Sequence, residues 1–223
     1  MLYQLTQIPQ KEILKLALGQ TLPDPVPPEL LTQAQAAAEK ILPCCPRYHY
    51  CIADTQEMLE HYFPGKDIRR HLSDCQQCIL LCATLGPQAD TLIRRAQVMD
   101  MAKALFLDAA ASAAIEEVCD GVQIQLAQEL ERSLTARFSC GYGDFPLSVQ
   151  KDFLSLLNPP ADVGITVSPG GMLIPVKSVT AVIGILPERA LPSKTAKPCS
   201  FCPLYKTCIL RRKGVFCGKY ADR

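Results

Sequence analysis

A chain of 223 residues with a net charge of +1 and 48% hydrophobic content can bury a full core and carries no broad charged field. That balance excludes an electrostatic footprint for nucleic acid or an anionic membrane surface. The longest apolar run, Met101 to Cys119, is broken by Lys103, Asp108, Glu116 and Glu117, so it does not read as a membrane span. The first residues show no basic region followed by an apolar signal core, and a cytoplasmic protein is expected. In a reducing compartment its twelve cysteines read as metal ligands or buried thiols rather than disulfides.

Pro9 followed by Lys11 to Leu18 and then Gly19 predicts a short helix, with proline at its start and glycine past its end. Residues 21–28, with four prolines, form a loop. Pro28 to Leu42 predicts a second helix, its face marked by Leu30, Leu31, Ala34, Ala37, Ala38, Ile41 and Leu42. Tyr48 to Ile52 reads as a strand, and Asp67 to Leu72 as a brief helix. Cys78 to Thr84 is a continuous apolar run stopped by Gly86-Pro87, which suits a buried strand. Cys78 and Cys82 lie in that run, so Cys75-x-x-Cys78 reads as buried thiols rather than as a metal pair.

Pro87 to about Leu134 predicts two helices meeting near Met99-Asp100, the second very rich in alanine. Leu147 to Leu157 predicts a short amphipathic helix. Val163 to Val167 and Val179 to Leu186 read as strands with the turn Ser168 to Gly171 between them. Helices and strands without strict alternation argue for an α+β fold with a mixed, mainly antiparallel sheet. Three regions follow: a body over 1–186, a linker over 187–198 and a cysteine-rich tail over 199–223. Neither a G-x-G-x-x-G opening a helix nor a P-loop is present, which argues against a dinucleotide-binding domain. His49, His61 and His71 form no recognisable metal pair.

The densest stretch runs Arg137-Phe138-Ser139-Cys140-Gly141-Tyr142-Gly143-Asp144-Phe145-Pro146. Its guanidinium is a planar, always-charged fork suited to a carboxylate, and its glycines allow sharp turning or close backbone approach. Arg137-x-x-x-Gly141-Tyr142 resembles the S-adenosylmethionine-binding signature of the activation domain of cobalamin-dependent methionine synthase, in particular its stand-alone members. Thr84-Leu85-Gly86, the acidic helix around Leu107 to Asp120, and Pro175-Val176-Lys177-Ser178-Val179 fall in that family's order and spacing. The resemblance covers most of residues 5–186. One departure is Cys140, where the family pattern often has proline.

The resemblance implies that the chain binds S-adenosylmethionine and supports reductive remethylation of cob(II)alamin on a partner methionine synthase or another corrinoid methyltransferase. Arg137 would take the donor's carboxylate, Gly141 and Tyr142 would shape the wall, and Glu116 would meet the amino end. Lys177 and Ser178 would line the site or the docking face. No Asp-x-His-x-x-Gly occurs, so cobalamin would arrive on the partner.

The tail carries Cys199-x-x-Cys202-Pro203-x-x-x-x-Cys208 and then Cys217. Four thiolates suit a 4Fe-4S iron–sulfur cluster or zinc. The run resembles the auxiliary-cluster segment of some radical-enzyme accessory domains, and the iron–sulfur reading ranks first. Arg211, Arg212, Lys213, Lys219 and Arg223 make the tail basic, which suits docking of an acidic electron donor such as flavodoxin or ferredoxin. The alternative to the activation role is a non-catalytic metal-binding adaptor of a corrinoid protein.

Overall fold

The computed structural model describes residues 1–19 and 22–187. Cys199, Cys202, Cys208 and Cys217 lie outside the described residues, and so do the metal and electron-donor expectations placed on them.

Three long strands form one sheet: β1 (Arg47–Asp54), β2 (Gln77–Thr84) and β5 (Ser178–Ile185), in the order β1-β2-β5. Both pairings are antiparallel, in keeping with the expected α+β fold and its mainly antiparallel sheet. β2 lies in the centre with seven of its eight residues buried, which is why its sequence is apolar without alternation. The fold is α+β, with helices on both faces of the sheet.

Pleat alternation sends Ile79, Leu81, Ala83 and Ile183 into one core. That core is closed by α1 (Gln10–Leu18), α2 (Pro28–Ile41), α5 (Pro87–Met99) and α6 (Met101–Glu129). Cys78, Leu80, Cys82 and Val182 face the other way, into a core closed by α3 (Thr55–His61), α4 (Lys66–His71) and α7 (Gln150–Leu157). A single 3-10 turn, Leu147–Val149, leads into α7.

α6 is the spine, with 29 residues and a length of about 43 Å. Ala110, Ala111 and Ala114 are fully buried, so side chains of α1, α2 and α5 close directly onto its backbone. Asp100 separates α5 from α6: its N–H donates to Ala96 O, while its Oδ1 accepts the Lys103 N–H and caps α6. The junction thus falls where the sequence places it, although α6 ends at Glu129 rather than near Leu134.

Two corrections concern strands and turns. The run over 163–167 contributes only β3 (Thr166–Val167), which pairs with β4 (Leu173–Ile174) and not with β5. The turn over 168–171 therefore closes a small hairpin. α3 is absent from the sequence expectation; Asp54 caps it by accepting the Glu57 N–H.

Candidate functional site

The outer edge of β5 positions the arginine. Residues 133–138 run along it as an irregular strand: the Thr135 N–H donates to Gly184 O, Leu186 N–H to Ser133 O, and Phe138 and Val182 exchange both backbone bonds. His71 Nε2 lies 2.9 Å from both Ala136 O and Thr135 Oγ1 and props this segment from α4. Burial lowers the pKa of His71, the bond to Ala136 O partly offsetting it.

Alternation along this edge then sorts two neighbours. Phe138 packs into the core beneath the sheet, against His71, Tyr142 and Phe145. Arg137 points the other way, onto α6. Its Nη2 lies 2.7 Å from Glu116 Oε2 and its Nη1 2.8 Å from Asp120 Oδ1. Nη1 also donates to Gln123 Oε1 at 3.2 Å. Glu116, Asp120 and Gln123 are spaced i, i+4 and i+7, which places them on one face of α6.

The Arg137 side chain is 18% exposed and that of Glu116 is 54% exposed. The guanidinium is therefore held on its inner side, while its Glu116 partner stands at the solvent edge. Burial disfavours the charged guanidinium, but the surrounding Cys119, Asp120 and Glu116 leave its pKa above the ordinary arginine value. Cys119 beneath it is fully buried, and burial pushes its thiol up to about 12. It is a protonated wall rather than a nucleophile.

Lys177, just before β5, meets the same helix nearer its start. Its Nζ lies 2.8 Å from Asp108 Oδ1 and donates to Ser112 Oγ at 2.8 Å. Asp108, Ser112 and Glu116 continue the i, i+4 stripe, so Ser112 and Glu116 are about 6 Å apart along the axis. Two cations thus lean on one carboxylate-bearing stripe. Asp90, buried at the start of α5, fixes the lysine's strand by accepting the Val176 N–H at 2.9 Å.

Gly141 and Tyr142 lie beyond the end of the irregular strand, on the side of Phe138. Gly141 has φ +91°, and its N–H donates to Phe145 O. Tyr142 is 56% exposed and stands edge-on to Phe138. Asp144 pins this loop to α4: its Oδ2 accepts the Lys66 N–H and its Oδ1 the Asp67 N–H. Gly143 has φ +54°, and a Cβ there would meet the Asp67 carboxylate. Cys140 is buried, with a thiol pushed up by burial to about 12.

The structure therefore brings Arg137 and Glu116 together and sets Lys177 on the same stripe. Gly141 and Tyr142 flank the edge from the opposite side. Ser178 turns away: its Oγ donates to Thr84 Oγ1 or Pro175 O and ties the strand start to the end of β2. Asp120, Gln123, Asp108 and Ser112 are additions to the sequence-based set. Their helical spacing from Glu116 is the signal that finds them, once Arg137 is known to face α6. Among the described residues no group of histidine, cysteine and carboxylate side chains is arranged to hold a metal ion. No helix among them is long and apolar enough to cross a membrane.

No family model matches the sequence, and no curated protein matches it. Among solved structures, the chain is similar to the MetH reactivation domain bound to AdoHcy. The similarity covers 62% of this chain and 47% of that one, at 16% identity and a TM-score of 0.44. The chain thus spans about half the length of that structure.

Proposed function

We propose that this protein binds S-adenosylmethionine at the β5–α6 edge and supports remethylation of a corrinoid carried by a partner, of the methionine synthase type. The observation that carries the reading is Arg137, delivered by the Arg137-x-x-x-Gly141-Tyr142 motif to a guarded but open-sided position against Glu116. The amino-acid end of S-adenosylmethionine presents a carboxylate beside an ammonium. Arg137 matches the first through charge-assisted bonds, and Glu116 the second. Binding exchanges one internal ion pair for two with the ligand.

The rest of the edge suits the nucleoside. Val182 bonds Phe138 outward, and alternation points the backbone groups of Thr180 to the same side, beyond the last bond of the irregular strand. Tyr142 supplies an exposed ring across the edge, on the side of Phe138. Carboxylates of Asp108, Glu116 and Asp120 along the stripe favour a ligand that carries a sulfonium charge.

The partner's corrinoid would accept the methyl group, a reductant outside the described residues would supply the electron, and S-adenosylhomocysteine would leave as a neutral thioether. The task of this chain is placement of the sulfonium methyl, since the leaving group is already good. The tail cysteines would hold a 4Fe-4S cluster or zinc, with flavodoxin or ferredoxin as electron source.

Calorimetric titration of wild type and Arg137→Ala with S-adenosylmethionine tests the site. Loss of charge-assisted bonds of about 1.5–3 kcal/mol weakens binding roughly ten- to a hundredfold. Equal affinities would remove Arg137 from the site, and absence of binding even with a corrinoid methyltransferase present would favour the adaptor role.

A further inference from the structure

The junction of α5 and α6 exposes Val98 at 88%, Met99 at 86% and Met101 at 68%, with Leu105 at 47% one turn along. Single exposed apolar residues are ordinary, but these are contiguous at one corner. Unbranched methionines suit a surface that adapts to a partner. Beside them a groove of about 250 Å³ opens between α2 and α6, floored by Ala37, Phe106 and Leu107. Arg95, Lys40 and Lys103, all exposed, form a collar at this corner together with Asp100, while Arg94 pairs with the buried Asp90 at 3.9 Å. Lys40 and Lys103 converge at the groove, and their proximity lowers the pKa of Lys40. A carboxylate placed there would relieve their repulsion.

Two features identify the occupant. Met101 and Leu105 stand on the same face of α6 as Asp108, Ser112 and Glu116, so the apolar corner runs on into the candidate site along one helical stripe. Three cations against Asp100 leave the collar net positive, so a second copy would bring like charge, and so would the chain's own basic C-terminal stretch around Arg211, Arg212 and Lys213. We propose that the α5–α6 corner docks a protein segment of aliphatic side chains flanked by carboxylates, on the same corrinoid protein whose cobalt faces the β5–α6 edge. This rests on the function proposed above for the identity of the partner. Apolar contacts at the corner would supply affinity, and the collar would supply orientation and encounter rate.

The test is binding of the full chain to a cobalamin-dependent methionine synthase that lacks its own reactivation domain, with S-adenosylmethionine affinity measured on each sample. The proposal expects Met99→Asp/Met101→Asp to weaken the complex at least tenfold and Arg95→Glu to flatten its salt dependence. Both variants should bind S-adenosylmethionine as wild type does. If the methionine variant loses helical circular dichroism, the arginine variant, whose single change is on an exposed position of α5, decides alone. Partner affinity within twofold of wild type in the methionine variant, or an unchanged salt slope in the arginine variant where that one decides, overturns the proposal. So does failure of the wild type to bind the synthase while it binds S-adenosylmethionine, or a wild-type dimer that the substitutions dissociate. A wild type that binds the synthase but not S-adenosylmethionine would overturn the function above and leave the docking surface standing.

Discussion

Arg137 reaches Glu116 and Asp120 with separate nitrogens of one rigid fork. Lysine keeps the charge but offers a single point on a flexible stem, so it cannot reproduce that geometry. Arg137→Lys should therefore bind S-adenosylmethionine at least tenfold more weakly than wild type in the same titration. The glycines of the motif make a separate claim. At Gly143 an alanine adopts a left-handed backbone and also meets Asp67, whereas at Gly164, with φ +69°, no atom lies near the added Cβ. Left-handed strain alone amounts to about 1–2 kcal/mol. Thermal unfolding should show Gly143→Ala to be less stable than Gly164→Ala, and equal losses would mean that the Asp67 contact is immaterial. Buried Cys119 and Cys140 should resist iodoacetamide at pH 8 until the chain unfolds, as peptide mass mapping would show, because burial holds both thiols near 12.

At the scale of elements, α6 and the loop on α4 carry the site. α6 is fitted for close approach, so bulk added to its buried face has nowhere to go. Ala114→Leu should lose about 1–3 kcal/mol in urea denaturation. The loop depends on Asp144, whose carboxyl is held below the ordinary range by the N–H groups of Lys66 and then Asp67. The folded value is depressed, so the contribution is present above the unfolded value of about 4 and is lost as pH falls through the folded one. The stability advantage of wild type over Asp144→Asn should hold from neutral pH to about pH 4 and shrink below it. These elements were unequally legible in the sequence. The α5–α6 break was readable because Asp100 is both a stop and a cap. α3 was missed because its seven residues follow β1 without a glycine or proline between them. β4 was missed because a two-residue strand has no periodicity to detect.

The described residues join two cores through one sheet, and the edges of that sheet explain the site. The N-terminal residues cover the β1 edge, where Tyr48 donates its N–H to Met1 O. Residues 133–138 cover only part of the β5 edge. Cover on an open edge is ordinary protection against wrong pairing, and its early end here leaves room beside Arg137. The motif was visible in the sequence, as was the buried character of β2. The side to which Arg137 points was not, because it depends on pairing between residues far apart in the chain. Nor was the divergence of Lys177 and Ser178 foreseeable: neighbours in an extended segment face opposite ways, and the pairing decides which one meets α6. In the proposed site Arg137 receives the carboxylate of S-adenosylmethionine. The most direct measurement is a binding cycle of wild type and Arg137→Ala against S-adenosylmethionine and its decarboxylated analogue. Losing the carboxylate should weaken binding to wild type by tenfold or more and hardly change binding to Arg137→Ala. Equal losses on both proteins would place the carboxylate elsewhere and contradict that role for Arg137.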